Sequence, residues 1–472
     1  MKKEETFVHA LSAVLISLAL TAAAIAQPNT APVSVPAVTL LPGVPTLDAR
    51  PLKLAGADQV LEEFVATGSA TSYKPVGGFG EDGRWAVQAL ETAQYTTRFA
   101  VIRPAQAEKF NGTVVTEWLN VSGGFDYSPA RIMMSRELAR SGYVWVDVSA
   151  QVVGIQGGPT LTGMSMPLKK LNAERYKELS HPGDAFSFDI YSQIGRLLKE
   201  PKASSVLAGL PPKHVISTGE SQSALYLTTY INAIDPIAKV FDGFLNYSRF
   251  GFAAPLEGIV INAGWLSTLG AAKMRSDLRV PVLIFVTETD VIGVTGKMTS
   301  FMGYYTARQP DTERLRTWEI ACTSHADSYL HQLGRVDTGS ASYEQLAEAY
   351  APTNNMQGMK LEKPCNDAPQ HHYAVQAAIA ALQKWVSTRI SPTKASPIEL
   401  VIPEIVGAPT SIIQDENGNS KGDVRSPWVE VPTSRLSGRP CPKTRWPCSP
   451  ASLSRSTRRR WIASIQEEEL NT

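Results

Sequence analysis

Ser221 stands in a context that favours a nucleophilic serine. The segment Gly219-Glu220-Ser221-Gln222-Ser223 follows a short β-branched run and precedes a stretch rich in Leu, Tyr and Ala. This pattern predicts a strand, a sharp turn and a helix, so that the hydroxyl rises above the carboxyl edge of a sheet. The helix also directs backbone N–H groups at a developing oxyanion. The alternative is a serine that only caps the helix; Ser223, in place of a second glycine, departs mildly from the nucleophile motif.

His325 occupies the place where a general base is expected. Residues 315–321 predict a strand, and His325 lies in the loop directly after it. The carboxyl ends of parallel strands meet at one edge of a sheet, so this imidazole is expected near Ser221. Four other histidines compete with it: His214, His331, His371 and His372. His214 precedes a strand at the opposite edge of the sheet. His371 and His372 cap the final helix.

Two carboxylates compete to orient His325. Residues 280–286 predict a buried strand, and Glu288 and Asp290 lie just beyond its carboxyl end. The order serine, acid, histidine along the chain fits either residue. Asp290 is the preferred acid because it lies in the turn beyond the strand and its shorter side chain suits a base held close by a loop. Glu288 is the alternative.

An oxyanion intermediate needs backbone N–H donors. Gln222 follows the nucleophile, so its N–H is expected to supply one donor. The second is expected from the loop after the strand predicted over 112–119, from Ser122, Gly123 or a neighbour. Paired glycines in this loop would let the backbone approach a substrate closely. An ordinary turn is the alternative interpretation.

The elements that must position these residues alternate along the chain. An N-terminal run of strands is predicted over 62–73, 95–103 and 112–119. Later strands are predicted over 143–148, 213–217, 240–245, 280–286 and 315–321, and helices over 130–140, 189–198, 221–234 and 373–388. The pattern predicts an α/β fold with a mostly parallel central sheet, an antiparallel start and helices on both faces.

Two insertions, 152–179 and 250–278, are expected to form pocket walls or a cap. Their apolar residues include Met164, Met166, Leu168, Trp265 and Leu266. An apolar lining favours a small-molecule substrate with an apolar group. The formal net charge of the 472 residues is only +1, so no nucleic-acid partner is expected.

The chain begins with a pattern typical of an export signal. Two lysines precede a long apolar run that ends in Ala24-Ile25-Ala26, an A-x-A cleavage site before Gln27. We expect residues 1–26 to be removed and the mature protein to be secreted or periplasmic, with no stable membrane insertion. An uncleaved anchor is the alternative, although the run is short for a span of about 20 residues.

The remaining boundaries follow composition. A Pro- and Ala-rich linker is expected over 27–48, the main domain over 49–400 and a C-terminal extension over 401–425. Residues 426–472 are basic and rich in Pro, Ser and Arg without a periodic apolar face, so they are interpreted as a disordered tail or a frameshifted end without function. The four cysteines allow three full connectivities and form no tight cluster, so no metal site is expected.

Several of these segments resemble a known family. The nucleophile elbow Gly219-Glu220-Ser221-Gln222-Ser223 is one of them, and the others are Trp118-Leu119-Asn120-Val121-Ser122-Gly123-Gly124, Ser180-His181-Pro182-Gly183-Asp184, Glu288-Thr289-Asp290 and Ser324-His325-Ala326-Asp327. Together they resemble the α/β-hydrolase superfamily, and within it a family of often exported bacterial and fungal α/β-hydrolase-domain proteins. The resemblance covers residues 58–390 and fails after about 426. It implies the α/β-hydrolase fold and a carboxylic-ester hydrolase. His181 lies in a predicted turn that could border the pocket but precedes Ser221 in the chain, so at most a pocket-shaping role is expected for it.

A Ser–His–Asp triad that works through an acyl-enzyme needs no metal or organic cofactor. The same triad could cleave an amide, which would make the protein an amidase or peptidase. A non-catalytic relative that binds a ligand is the other alternative.

Overall fold

The computed structural model describes residues 33–46, 52–160, 163–200, 205–258, 270–293, 303–351, 353–356, 359–360, 370–404, 410–422, 424–432 and 436–438. Of the two compact units of the chain, Met1–Ala31 lies outside these ranges, and the fold is that of Pro32–Thr472. The expected export signal over residues 1–26 therefore stays a prediction.

The described residues form one sheet of nine strands, in the order β1-β2-β3-β5-β4-β6-β7-β8-β9. The strands are β1 Ala37–Leu40, β2 Gln59–Pro75, β3 Val87–Pro104, β4 Thr113–Trp118, β5 Val144–Val148, β6 His214–Glu220, β7 Gly243–Tyr247, β8 Val282–Thr287 and β9 Leu315–Ile320. The pairs β1–β2, β2–β3 and β3–β5 are antiparallel, and every pair from β5 to β9 is parallel. This confirms the predicted sheet. Two short hairpins lie apart from it, β10 Asn355–Met356 with β11 Met359–Lys360 and β12 Leu400–Val401 with β13 Ser411–Ile412.

Helices cover both faces of the sheet. They are α1 Pro129–Arg140, α2 Val152–Gln156, α3 Leu168–Leu171, α4 Ser187–Leu197, α5 Gln222–Thr229, α6 Asp235–Ala238, α7 Glu288–Ile292, α8 Gly334–Val336, α9 Tyr343–Tyr350, α10 Gln370–Thr388 and α11 Pro427–Glu430. Strand side chains alternate between the two faces. Phe244 faces a core that includes α4 and α5, while its neighbour Leu245 faces a second core that includes α1 and α10.

The expected linker over 27–48 contains a strand of the main sheet, so that prediction is wrong for Ala37–Leu40. This segment pairs antiparallel with β2, Val38 opposite Ala66. The β-branched residues Val38 and Thr39 favour a strand, and Val38 packs against the core beside β2.

The helix predicted over 221–234 changes its hydrogen-bond register. After α5 ends at Thr229, Tyr230–Ile234 form a π-helical turn that leads into α6. Pro236 has no N–H to donate to the carbonyl of Asn232, four residues earlier. The Arg275 guanidinium donates to that carbonyl instead, at 2.6 Å. The proline therefore explains why the regular helix is interrupted.

Residues 426–432 and 436–438 of the expected tail belong to the fold, so the interpretation of these residues as disordered is wrong. Val424 pairs with Ile320 beside β9. Beyond it, Val429 and Leu436 are buried against Ala321 and Cys322, next to the loop that carries His325. Two scattered apolar residues make these contacts, too few to produce a periodic pattern in the sequence. Residues 439–472 lie outside the described part of the chain.

Among the residues that the structure describes, no helix is both long enough and apolar enough to span a bilayer. In the same ranges, no three His, Cys, Asp or Glu side chains are grouped to hold a metal ion.

Candidate active site

Ser221 lies in the turn between β6 and α5. Its φ of 57° and ψ of −116° are strained for a non-glycine residue, a conformation that costs about 1 to 3 kcal/mol and clusters at functional sites. Its N–H donates to the Tyr247 carbonyl of the neighbouring strand, at 3.1 Å, which helps to fix the turn. A Cβ at Gly219 would lie 3.1 Å from Ser223, a tight contact that would press on the turn. Ser223 fits in place of a second glycine and is fully buried.

His325 lies in the loop after β9 and reaches back to Ser221. Its Nε2 is 2.8 Å from Ser221 Oγ. The imidazole is only 3% exposed and stacks on the Phe250 ring with centroids 5.3 Å apart, whereas Ser221 is partly open to solvent. The imidazole is therefore shielded by an aromatic ring, whereas Ser221 is partly accessible.

Asp290 lies in the first turn of α7 and contacts the other ring nitrogen of His325. Its Oδ1 is 2.5 Å from Nδ1. Its Oδ2 accepts a hydrogen bond from the Thr287 N–H at 2.8 Å, while the Thr287 hydroxyl accepts one from the Asp290 N–H at 3.3 Å. This reciprocal cap fixes the carboxylate at the start of the helix.

Glu288 does not occupy the place of the acid. Both ring nitrogens of His325 already face other groups, with Asp290 at Nδ1 and Ser221 at Nε2. The Cβ of Glu288 lies instead beside Gly438, since a Cβ added to that glycine would be 2.6 Å from it. Of the two carboxylates expected to orient His325, the structure thus places Asp290, not Glu288, against the imidazole.

Glu220 is a residue of this site that the sequence analysis missed. It ends β6 directly before Ser221, and its Oε1 lies 3.5 Å from His325 Nε2. Burial raises the pKa of Glu220 to about 8, an effect that His325 reduces and Asp290 increases. The only signal in the sequence is an acidic residue inside the elbow motif. The motif alone does not indicate that this side chain is buried.

The loop expected to complete the oxyanion hole bonds largely to itself. The Ser122 N–H donates to Asn120 Oδ1 at 2.9 Å, so Ser122 is not an available donor in this conformation. The Gly124 N–H donates to the Val121 carbonyl at 2.9 Å. The reason is local, because Asn side chains readily bond a backbone N–H two residues ahead. The second donor expected from this loop therefore stays a prediction.

The side chain of Gln222, and not only its backbone, contacts other parts of the site. Gln222 is the first residue of α5, where N–H groups have no partner within the helix. Its side-chain carbonyl accepts from the Val121 N–H at 3.3 Å, and its Nε2 donates to Gln151 Oε1 at 2.9 Å. Gln151 also accepts from Trp118 and donates to Asp184, at 3.1 and 2.9 Å. This chain of contacts joins three motif segments behind the nucleophile.

The paired glycines serve a different contact from the one expected. Gly124 has a φ of 85°, and a Cβ there would lie 2.1 Å from the Met164 carbonyl. The Met166 N–H donates to the Gly124 carbonyl at 2.8 Å. The insertion over 152–179 therefore folds onto this loop. It leaves Met164 and Met166 exposed by 47% and 38% beside the loop.

Buried polar side chains fix both ends of the same loop. Glu117 of β4 accepts the N–H groups of Ala130 and Arg131 at the start of α1, at 2.9 and 3.1 Å. Arg131 pairs with Asp147 of β5 at 3.1 Å. Burial and the nearby Asp147 raise the pKa of Glu117 well above its usual range. The loop is therefore anchored where it leaves β4 and where it enters α1.

The competing histidines lie in other environments. His181 faces the Ala150 carbonyl through Nε2 at 2.9 Å and accepts the Gly183 N–H through Nδ1 at 3.2 Å, so its role is structural. His371 bonds the Tyr247 hydroxyl at 2.7 Å. Burial lowers the pKa values of His331 and His372 to about 4. His214 lines a cavity of 950 Å³ at the amino ends of the parallel strands, at the edge opposite to Ser221.

The sequence profile of the alpha/beta hydrolase domain family matches residues 26–454, and the chain belongs to this family. The match extends beyond the range of 58–390 that the motifs indicated, and it includes the part of the tail before 455. No curated protein matches the chain in sequence.

Solved hydrolase structures are among those to which the chain is similar, and three of them follow. A putative dienelactone hydrolase from Klebsiella pneumoniae subsp. pneumoniae is 13% identical, with 60% of this chain and 95% of that chain covered and a TM-score of 0.28. A fungal esterase from Rhizomucor miehei is 13% identical, with coverages of 68% and 86% and a TM-score of 0.28. An α/β serine hydrolase without a lid from Xanthomonas campestris is 12% identical, with coverages of 56% and 87% and a TM-score of 0.30. Similarities at this level say nothing about substrate.

Proposed function

We propose that the protein is a serine hydrolase that cleaves a carboxylic ester through Ser221, His325 and Asp290. The observation that carries the proposal is the continuous contact from Ser221 Oγ to His325 Nε2, at 2.8 Å, and from His325 Nδ1 to Asp290, at 2.5 Å. Nucleophile, base and orienting acid are the three roles that acyl transfer requires. Membership of the alpha/beta hydrolase domain family supports the same chemistry.

In the proposed acylation step, His325 Nε2 takes the proton of Ser221 as Oγ bonds to the ester carbonyl carbon. The carbonyl oxygen becomes an oxyanion, held by the Gln222 N–H and a second N–H donor from the 119–124 loop. One such donor is worth about 3 to 4 kcal/mol in other hydrolases. The intermediate then expels the alcohol, which receives the proton from His325. Water repeats the cycle on the acyl-enzyme.

Asp290 fixes the tautomer of His325 that carries a proton on Nδ1 and stabilises the imidazolium that forms. The carboxylate is fully buried and capped by Thr287, so it is held rigidly. A rigid acid keeps the lone pair of Nε2 directed at Ser221.

We further propose a small-molecule ester with an apolar acyl or alcohol group. The support is the exposed pair Met164 and Met166 beside the loop at Gly124. Exposed methionines offer flexible apolar surface to a ligand. Activity that increases with acyl chain length, and loses this dependence in the Met164→Ala, Met166→Ala double variant, is the expected result.

Labelling with a fluorophosphonate probe tests the nucleophile. The wild type should be labelled, Ser221→Ala should not, and mass mapping should locate the adduct on Ser221. The Ser223→Ala variant is the matched control and should still be labelled. Absence of labelling in the folded wild type would support a non-catalytic ligand-binding protein. A comparison of 4-nitrophenyl esters with the matching anilides separates an esterase from an amidase or peptidase.

Export is proposed as well, with cleavage between Ala26 and Gln27. The proposal rests on the apolar run and the A-x-A site. N-terminal sequencing of protein from periplasm or medium tests it; a mature chain that begins at Met1 would contradict it.

A further inference from the structure

His325 lies between two carboxyl groups, of which only Asp290 has a role in the mechanism above. Glu220 Oε1 is 3.5 Å from Nε2, the nitrogen that also faces Ser221 Oγ at 2.8 Å. Because Glu220 is the last residue of β6, the strand itself holds the side chain beside the nucleophile. The side chains of Glu220 and Asp290 are 4% and 0% exposed.

In the part of the chain that the structure describes, no Lys or Arg forms an ion pair with Glu220. Among the described residues its one ion-pair partner is His325. Asn120 Nδ2 donates to Glu220 Oε2 at 3.4 Å and to its backbone carbonyl at 3.2 Å. The titratable groups near Glu220 are His325, Asp290 and Tyr247. Glu220 helps to raise the pKa of Tyr247. A buried carboxylate without a cation is costly, so this carboxyl favours its neutral form.

We propose that Glu220 is a positioning residue that acts through His325, supporting catalysis while its carboxyl is neutral and slowing it once ionised. The inference rests on the proposed function, in which His325 accepts the proton of Ser221. The raised pKa of Glu220, about 8, agrees with a neutral carboxyl at neutral pH.

The charge balance of the reaction explains the direction of the effect. During acylation a positive charge appears on His325 and a negative charge on the carbonyl oxygen. Asp290 already compensates the imidazolium at Nδ1. An ionised Glu220 would place a second negative charge 3.5 Å from Nε2, so the imidazolium would release its proton to the leaving oxygen less readily. The same charge would oppose the oxyanion that forms beside it.

Asn120 connects Glu220 to the 119–124 loop, which is proposed to supply an oxyanion donor. Its amide nitrogen donates to Glu220, while its amide oxygen accepts from the Ser122 N–H and hydroxyl at 2.9 and 2.7 Å. One side chain thus bonds both Glu220 and the 119–124 loop. A glutamine at position 220 keeps an acceptor for Asn120 and carries no charge.

The experiment measures the rate of fluorophosphonate labelling and kcat/KM for a 4-nitrophenyl ester from about pH 6 to about pH 10. In the wild type both rates should fall at least about fivefold as pH rises through the range where Glu220 ionises. Glu220→Gln should keep the neutral-pH rates within about threefold and show no such fall. Glu288→Gln, a buried change nearby, should keep the alkaline fall of the wild type.

An identical alkaline fall in wild type and Glu220→Gln would overturn the inference, as would a folded Glu220→Gln variant that has lost activity at every pH. If Glu220→Gln has a Tm well below that of the wild type, the pH profile of the wild type alone tests the inference. Wild-type rates that stay level from about pH 7 to about pH 9 would then overturn it. Failure of the proposed function looks different, because neither protein would then be labelled at any pH.

Discussion

Thr289 donates its hydroxyl hydrogen bond to the carbonyl of Gly438, a residue 149 positions further along the chain. Gly438 therefore touches the helix that carries Asp290. A Cβ at this glycine would also lie 2.1 Å from the carbonyl of Thr323, two residues before His325. The segment that looked least structured in the sequence thus lies against both loops that position the histidine and its acid.

Removal of this segment should destabilise the protein. Truncation after Asp423 deletes Val429 and Leu436, which are 1% and 4% exposed, and burial of each aliphatic side chain contributes about 1.5 to 3 kcal/mol. We expect a clearly lower Tm and weaker activity. The composition of the tail, in contrast, predicts that its removal has little effect. Thermal unfolding of full-length and truncated protein measures this.

A point substitution makes the same test without a deletion. Val429→Ala should cost about 2 kcal/mol of unfolding free energy. Val431→Ala is the matched control, because Val431 is 63% exposed and its removal should change little. Equal Tm values for the two variants would show that the 427–438 segment does not pack on the domain.

The Gly438→Ala variant tests whether the segment also positions the catalytic groups. The added Cβ would overlap the Thr323 carbonyl and come within 2.6 Å of the Glu288 Cβ, so the loops of His325 and Asp290 must shift. Displacement of a catalytic group by about 1 Å can cost 10²-fold, so kcat should fall by about one to two orders of magnitude.

Gly78→Ala is the matched control for that variant, since nothing lies within 4 Å of a Cβ built there. It should keep full activity. A Gly438→Ala variant with wild-type kcat would mean that the loops absorb the added methyl group elsewhere.

The side chain of Gln222 gives a third prediction. Gln222→Ala keeps the backbone N–H beside Ser221 but removes the acceptor for the Val121 N–H and the donor to Gln151. The 119–124 loop should lose its fixed position beside Ser221, so we expect kcat to fall about tenfold to 10²-fold. This decrease is smaller than the one caused by loss of a whole oxyanion donor. Gln376→Ala, another buried glutamine, whose amide bonds the Met133 carbonyl on α1, should keep its kcat.

The sequence predicted the sheet and the three proposed catalytic residues because both follow from local patterns. Strands and helices alternate with clear apolar runs, and Ser221, Asp290 and His325 each follow a strand directly. Other features depend on contacts between distant segments. The bond between Gln222 and Val121 spans 101 residues, and the burial of Glu220 depends on neighbours from separate strands and loops.

Local competition removes one of the alternatives for the second oxyanion donor. Ser122 was one of the residues from which the loop after β4 was expected to donate. Its N–H instead bonds the side chain of Asn120, two residues earlier, at 2.9 Å. A pattern that places a backbone near a site does not reveal which N–H groups the chain has already used.

The choice of acid is the last prediction. Asp290→Asn should lower ester turnover by about 10⁴, the cost of the same change in a related triad, because an amide favours the wrong tautomer of the histidine. Asn keeps the size of the side chain and an oxygen for the Thr287 N–H, so the Tm should change little. Glu288→Gln should cost far less, since both nitrogens of His325 already face other groups. Steady-state kinetics of the two variants beside wild type and Ser221→Ala decide the matter. A larger loss in Glu288→Gln than in Asp290→Asn would show that the acid is wrongly assigned, while labelling of Ser221 by the probe would still identify the nucleophile.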